Sequence, residues 1–172
     1  NIKVHRGLEQ IGGCITEIST ATSRVFIDFG QNLPGNGEAT TPEQDRLMVE
    51  NIFATNAKKH EAVFYTHGHE DHVGLFEYIP PYVPQYMSDG TKELLLIKYR
   101  TLKEGVELSL AQLQNDANSI KEQIEEENFK KSTAENKIKI IARMNSWGRT
   151  SPGKKPSPIF IGDITITPFF NC

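Results

Sequence analysis

The sequence predicts a mixed α/β fold of the α+β kind. Short alternating runs of apolar and polar residues, which are typical of strands, fill most of the first thirty positions. Helix and strand patterns then alternate as far as Ser88, and helical periodicity dominates from Asp89 to Trp147. With 172 residues and 37% hydrophobic content, the chain is large enough for one domain with its own core.

Three strands are predicted at the beginning of the chain. They are "IKVH" (2–5), "CITEIST" (14–20) and "RVFIDFG" (24–30), and only three residues join the last two. Such a short connection favours an antiparallel hairpin. The Gly- and Pro-containing stretch 31–38 that follows is predicted to be a loop.

A helix is predicted to begin directly after Thr41. Thr41 fits the N-cap, Pro42 fits the first helical position, and Gln44 completes a capping box. The next predicted elements are a strand at 61–66, a short helix in "VGLFEYI" and a strand at 84–88. Their alternation supports the α/β prediction.

The long helical region is predicted to be a hairpin over 103–147 that turns near 128–132. Ser132 and Glu135 form a second potential capping box at this turn. Apolar residues spaced by four and three positions precede it, as in a two-per-heptad seam: Val106, Leu110, Leu113, Ala117, Ile120 and Ile124. Such a seam either packs within the chain, on the second helix or the sheet, or contacts another copy of the chain.

The composition argues against several classes of protein. A net charge of −3 and a pI near 6.0 give no basic field over the whole chain. No apolar stretch approaches the ~20 residues of a membrane span, so a membrane is not an expected partner. Two cysteines, Cys14 and Cys172, are too few for a disulfide framework and favour a reducing, cytoplasmic setting. Because the chain begins without Met and stops after "ITPFF", we expect a fragment of a longer protein.

The stretch "FYTHGHEDHVG" (64–74) is the strongest functional signal in the sequence. In an extended segment, His67 and His69 point to the same side and can hold one metal ion. Asp71 and His72 follow where the chain turns towards a helix, so they can hold a second ion beside the first. Nitrogen and carboxylate ligands without a thiolate suit Zn²⁺ and tolerate Mn²⁺. Two other histidines, at positions 5 and 60, are isolated and are predicted not to be ligands.

These residues resemble a known family. "THGHEDHVG" (66–74) resembles the signature of the metallo-β-lactamase-fold hydrolases, and "RVFIDFG" resembles their upstream strand, where Asp28 is the acid that supports the site. Three segments are most similar to the ribonuclease J and β-CASP branch: "GHEDHVG", "GGCITEI" and "YMSDGTKELL". The similar stretches cover most of 1–102 and resume at 158–172.

The resemblance implies the N-terminal half of a four-layer αββα sandwich with an inserted helical hairpin. The implied parts are 1–102 in the sandwich, the hairpin at 103–147, and a linker and β-hairpin at 148–172. By the same resemblance His67 and His69 bind the first Zn²⁺, while Asp71 and His72 bind the second. Asp71 would also be the catalytic residue, because it orients the hydroxide between two ions ~3.5–4 Å apart.

The resemblance further implies a metal-dependent phosphodiesterase, with RNA or another phosphodiester as substrate. No histidine follows His72, although the family takes further ligands from later in the chain, so we expect this fragment to be inactive alone. Asp163 lies in a predicted turn between two short strands and is not expected to bridge the metals. The alternatives are hydrolysis of a small ester, thioester or lactone, and an interaction module that forms a homo-oligomer through the 103–147 helices.

Overall fold

The computed structural model describes residues 1–9, 12–33, 40–115, 121–148 and 156–169. The described strands are β1 (Ile2–Arg6), β2 (Ile15–Ser19), β3 (Ser23–Ile27), β4 (His60–Phe64), β5 (Gln85–Ser88), β6 (Asn145–Trp147), β7 (Ile159–Ile161) and β8 (Ile164–Ile166). The described helices are α1 (Pro42–Ala54), α2 (Glu70–Val73), α3 (Asp89–Asn115) and α4 (Lys121–Arg143), with a 3₁₀ turn at Phe76–Tyr78. The chain divides into two compact units, one of Asn1–Thr91 with Met144–Cys172 and the other of Lys92–Arg143.

Six of the described strands form one mixed sheet in the order β1-β2-β3-β4-β5-β6. The first three pair antiparallel, whereas β3, β4, β5 and β6 pair parallel. β7 and β8 form a separate antiparallel pair. The mixed α/β class is therefore confirmed. The αββα sandwich is not confirmed, because the second sheet has only two strands among the described residues.

Other elements pack on both faces of the six-stranded sheet. Alternate residues of β3 point to opposite sides of the sheet and contact these elements. On one face Phe26 packs against Phe29 and Phe53, each at a centroid distance of 5.1 Å, and Phe53 belongs to α1. On the other face Val25 packs in a buried cluster with Ile161 of β7. The sheet core thus lies between α1 and the β7–β8 pair.

The predicted start of α1 is confirmed. The Gln44 backbone N–H donates to Thr41 Oγ1 at 3.2 Å, and the Thr41 N–H donates to Gln44 Oε1 at 2.8 Å. At the other end, the buried guanidinium of Arg24 donates to the carbonyls of Ile52 and Thr55 at 3.1 and 2.9 Å. These bonds satisfy carbonyls that the helix itself leaves free.

The predicted turn near 128–132 is wrong, because α4 runs unbroken from Lys121 to Arg143. Lys130 contacts Glu126 and Glu127 at 2.9 and 2.7 Å within the helix, and the segment contains neither Gly nor Pro. Ser132 is therefore an exposed mid-helix residue rather than an N-cap. The predicted seam positions 117 and 120 lie outside the described residues.

α3 and α4 are antiparallel neighbours. Lys103 pairs with Glu135 at 3.3 Å, and Glu107, one turn further along α3, pairs with Lys131 at 2.9 Å, one turn earlier in α4. Leu110 is buried on the facing side of this pair. No helix within the described ranges combines the length and the apolar character that crossing a membrane requires.

Two further predictions can be compared with the structure. The turn at Gly162-Asp163 between β7 and β8 is confirmed. The helical hairpin is predicted to extend to Trp147, but α4 ends at Arg143 and Asn145–Trp147 form β6. Backbone pairing to β5 explains this difference, since Ser88 lies opposite Trp147 and no local sequence pattern contains that pairing.

Candidate functional site

The candidate site lies where the parallel strands β3 and β4 end. Their register sets Ile27 opposite Phe64, so the residues that follow both strands meet at one edge of the sheet. After β4, the segment from Tyr65 to His69 is extended or bent and leads into α2. In open α/β sheets the carboxyl ends of parallel strands are the usual place for a ligand.

Asp28 is the central side chain of this edge. It is 3% exposed and has a φ of 63°, in the left-handed region that Asp tolerates better than most residues. Its Oδ1 accepts a hydrogen bond from the Thr66 backbone N–H at 2.8 Å. Its Oδ2 accepts from the Thr66 hydroxyl and lies 2.8 Å from His72 Nδ1. One buried carboxylate therefore holds both ends of the histidine-rich segment.

These contacts fix which nitrogen of each imidazole carries the proton. A carboxylate oxygen only accepts, so His72 must carry its proton on Nδ1. The Thr66 hydroxyl gives its proton to Asp28, so its oxygen accepts from His67 Nδ1, 3.0 Å away. In both rings Nε2 is then the nitrogen with the free lone pair. This is the arrangement that metal-ligating histidines show in proteins.

The predicted ligands lie close together. The rings of His67 and His72 are 4.0 Å apart between centroids, and those of His67 and His69 are 4.7 Å apart. His72 Nε2 lies 3.5 Å from Asp71 Oδ2. His69 is the most exposed of the three histidines and occupies the N-cap position of α2. The four side chains thus share one surface, although no group of three or more donors among the described residues surrounds a single point in the way that a formed metal site does.

Two ionisable groups of the site shift in pKa. Burial lowers the pKa of His67, and the neighbouring His72 and His69 lower it further, against the opposing charges of Asp28 and Asp71. Burial raises the pKa of the Cys14 thiol, and the same two carboxylates add to this effect. At neutral pH His67 is therefore a neutral imidazole, which is the form that binds metal, and Cys14 is a thiol rather than a thiolate.

Backbone hydrogen bonds hold the site segment against the loop that follows β3. The N–H of Phe29 donates to the His72 carbonyl at 2.9 Å, and the N–H of Gln31 donates to the Glu70 carbonyl at 2.8 Å. Between them, Gly30 passes so close to Asp71 that a Cβ at Gly30 would overlap the Asp71 carbonyl. The absence of a side chain at Gly30 is what allows this approach.

Arg6 and Asp45 hold the loop that follows β3. Arg6 Nη1 pairs with the buried Asp45 at 3.0 Å, and its other nitrogens donate to the carbonyls of Gly13 and Gly30. Asp45 also accepts from the Thr40 hydroxyl at 3.0 Å. This network joins β1 and α1 to the loop that carries Gly30.

The residues predicted not to bind metal lie away from this edge. His5 bonds to Glu17 at 2.8 Å, and His60 begins β4 at its opposite end. Asp163 accepts a hydrogen bond from Thr20 Oγ1 at 2.8 Å in the β7–β8 turn. Each of them lies apart from the His67–His72 cluster.

Sequence reasoning missed two residues at the site. Thr66 touches both Asp28 and His67, and Cys14 reaches the site because its N–H donates to the Asp71 carbonyl at 3.2 Å. The position of Thr66 directly before the first histidine was a usable signal. No comparable signal marks Cys14, which is distant in sequence from every predicted ligand.

Comparisons with known proteins give a partial likeness. No model of a known protein family matches the chain. A transcription termination factor, FttA of Methanosarcina mazei, is 34% identical over 94 residues, a match that covers 53% of this chain and 14% of that protein. A crystal structure of an Enterococcus faecalis V583 protein of unknown function superimposes with a TM-score of 0.54 over 96% of this chain, at 21% identity. The chain covers 36% of that second protein, and the likeness shows a shared fold.

These comparisons overturn the family assignment made from the sequence. The resemblance to metallo-β-lactamase-fold hydrolases, and to the ribonuclease J and β-CASP branch in particular, is not supported by any family model. The match of 94 residues is to a transcription termination factor and covers a small part of it. We therefore assign the chain to no family.

Proposed function

We propose that the protein is a metal-dependent phosphodiesterase whose substrate is RNA. The observation that carries the proposal is the tautomer pattern of the site. Asp28 and the Thr66 hydroxyl occupy Nδ1 of His72 and His67, which leaves Nε2 of each ring as the available ligand atom, and His72 Nε2 lies 3.5 Å from Asp71 Oδ2. Supporting partners of this kind keep ligating histidines oriented for a metal ion.

The donor chemistry fits Zn²⁺, with Mn²⁺ as the second choice, because it combines imidazole nitrogen with carboxylate oxygen and no thiolate. We propose that His67 and His69 hold one ion, and that Asp71 and His72 hold another. Bound there, the ions would lower the pKa of the attacking water and neutralise charge on the phosphate. The lowered pKa of His67 favours this role, since the ring need not lose a proton before it binds.

Asp71 is the proposed catalytic residue. Its Oδ2, next to His72 Nε2, accepts a hydrogen bond from the attacking water and orients it towards the phosphorus. The Asp71 backbone is held in place by the Cys14 N–H, which donates to the Asp71 carbonyl at 3.2 Å. Fixed placement is a large part of what an enzyme contributes to a displacement at phosphorus.

RNA is proposed as the substrate because the Methanosarcina mazei protein is a transcription termination factor. A role close to transcription also agrees with the predicted cytoplasmic setting. The alternative substrates, a small ester, thioester or lactone, use the same chemistry and are distinguished by assay. Residues 1–172 alone are expected to be inactive even with metal added, because two protein ligands for each ion fall below the three or so that a zinc ion normally receives.

Metal analysis tests the proposal directly. The His67→Ala/His69→Ala variant is expected to lose at least one equivalent of bound Zn²⁺, whereas His5→Gln, outside the cluster, keeps the original content. An unchanged metal content in the double variant would refute the ligand assignment. Hydrolysis of 5′-labelled RNA and of a generic phosphodiester is measured alongside, and turnover by residues 1–172 that His69→Ala abolishes would contradict the expected inactivity.

A second candidate role is self-association through α3. Leu94, Ile97 and Leu108 are 69%, 51% and 67% exposed, and they repeat along the side of α3 opposite the buried Tyr99. An apolar stripe of this kind is typical of helix pairing. Light scattering tests this role. The unmodified chain is expected to show a mass above that of a monomer, and the Leu94→Lys/Leu108→Lys variant is expected to show the mass of a monomer.

A further inference from the structure

A cleft opens at the end of β4 that lies away from the histidine cluster. Its volume is about 300 Å³, and its walls come from three segments: Lys58–Glu61, Tyr82 with Pro84, and Phe160–Gly162. We call it the aromatic–lysine cleft. β4 separates it from Tyr65 and the histidines by five residues, or roughly 16 Å at ~3.3 Å per residue.

Two aromatic rings of the cleft face solvent. Tyr82 is 71% exposed and Phe160 is 70% exposed. Neither ring contributes to the core, although their neighbours Val83 and Ile161 are buried at 4% and 7% exposure. Exposed aromatic faces beside lysines are the surface on which proteins stack the bases of single-stranded nucleic acid.

The position of Phe160 is fixed by a close-packed turn. Gly162 has a φ of 58°, and a Cβ there would lie 2.6 Å from His60 Cδ2, so only glycine allows β7 to approach the start of β4. The Asp163 N–H donates to Ser23 Oγ at 3.2 Å, which ties the same turn to β3. The Phe160–Gly162 wall of the cleft is therefore held against the first residues of β3 and β4.

The charge of the cleft is positive. Lys58 and Lys59 are adjacent along one wall. The acid beside them, Glu61, is bonded to Arg24 Nε at 2.6 Å and to the Lys58 N–H at 2.9 Å, and its side chain is only 7% exposed. Its charge is thus matched inside the protein. Asp163 directs its carboxylate to the Thr20 hydroxyl.

We propose that the aromatic–lysine cleft binds single-stranded RNA, with bases stacked on Tyr82 and Phe160 and phosphates contacting Lys58 and Lys59. The identity of the polymer as RNA rests on the proposed function, whereas the stacking surface and its charge do not. The cleft would hold one stretch of the strand while another stretch reaches the histidine cluster. It would add affinity without reading sequence, because every base presents a ring face.

Fluorescence anisotropy with a labelled oligouridine of about 12 nucleotides tests the cleft in metal-free, low-salt buffer. Each of Tyr82→Ala and Phe160→Ala is expected to weaken binding by about fivefold or more, which corresponds to the ~1 kcal/mol lower limit for one stacked base. Phe129→Ala removes a ring that is 73% exposed on α4 and is the matched control, with unchanged binding. Circular dichroism confirms that all three variants are folded.

The lysines are tested by salt dependence. Lys59→Ala is expected to reduce the slope of log affinity against log salt by about 0.7, the value for one phosphate contact in a single strand. Lys139→Ala, an exposed lysine of α4, leaves the slope unchanged. Failure of the unmodified chain to bind oligouridine, or equal binding by all variants, would overturn the proposal.

The same assay separates this proposal from the proposed function. His67→Ala/His69→Ala removes the metal ligands but leaves the cleft intact, so it is expected to bind oligouridine as tightly as the unmodified chain. Loss of binding in that variant, with binding retained in Tyr82→Ala and Phe160→Ala, would assign the RNA contact to the histidine cluster and refute the cleft. If the protein binds no metal but the cleft variants still lose affinity for oligouridine, the proposed function is refuted and the cleft proposal is supported.

Discussion

The Thr66 hydroxyl joins Asp28 to His67. Thr66→Val keeps the shape of the side chain but removes the oxygen, so His67 loses the partner that holds its proton on Nδ1. We expect metal affinity to fall by about 10- to 100-fold, the usual cost of losing a supporting contact of a ligand. Titration against a coloured chelator measures this loss, and Thr66→Ser is expected to restore most of the affinity. Equal affinities for the Val and Ser variants would show that the hydroxyl has no such role.

Gly30 is the position at which the site tolerates the least change. Because a Cβ there would overlap the Asp71 carbonyl, Gly30→Ala is expected to lower the free energy of unfolding by about 1–3 kcal/mol. Gly105, inside α3, has no atom within 4 Å of the same added group, so Gly105→Ala is expected to raise it by about 0.5–1 kcal/mol. Urea denaturation of both variants measures the contrast. Two changes of the same sign would contradict the packing described around Gly30.

Glu17 makes stability depend on pH in the acid range. Burial alone would raise its pKa, but hydrogen bonds from His5 and Ser19 and the charge of Arg24 lower the pKa below its ordinary value. A lowered carboxyl pKa gives stability that is present above the unfolded-state pKa, ~4.3, and is lost as the pH falls through the folded-state value. The unmodified chain should therefore lose more stability between pH 7 and pH 3 than Glu17→Gln does. Glu122→Gln, on the exposed surface of α4, is the control and should follow the unmodified chain.

The site was predictable where its residues are neighbours in sequence. His67, His69, Asp71 and His72 fall within six positions, so their proximity follows from the motif alone. Cys14 comes from a distant segment that backbone hydrogen bonding carries to the Asp71 loop. Such long-range contacts depend on the register of β3 with β4, and single-chain patterns do not contain that register.

The same capping pattern correctly predicted a helix start at Thr41 but not at Ser132. Thr41 and Gln44 form the predicted capping box, while Ser132 and Glu135 have the same spacing inside an unbroken helix. The difference lies in the flanking residues, since Pro42 after Thr41 favours the first position of a helix, whereas the lysines before Ser132 continue a helix. Local spacing therefore identifies a possible cap, and the flanking residues decide whether the helix begins there.

This difference is measurable. Thr41→Ala is expected to lower the free energy of unfolding by about 1 kcal/mol, because the Gln44 N–H loses its acceptor. Ser132→Ala should leave it unchanged or slightly higher, because alanine favours a helix interior more than serine does. Chemical denaturation of both variants checks the pair. A loss at Ser132 as large as that at Thr41 would indicate that a helix does begin there.

Most strands and helices were predictable in their order along the chain, but the sheet that the strands build was not. Alternating patterns located β1 to β5, and the short connection between β2 and β3 identified their antiparallel pairing. β6 pairs with β5 only after the chain has passed through α3 and α4, which no local pattern reveals. The likeness to the Enterococcus faecalis protein indicates that this arrangement recurs in a longer chain.

The hydrogen bonds that tie the histidine segment to the β3 loop also have a consequence for folding order. Phe29 with His72, and Gln31 with Glu70, are pairs far apart in sequence, so their formation requires closing a long loop that β3 and β4 must close first. We therefore expect the histidine cluster to assemble only after the central strands have paired. Amide hydrogen exchange measures this coupling. The Phe29 and Gln31 amides should become protected during refolding no earlier than that of Val25 in β3, and earlier protection would show that the loop orders itself independently.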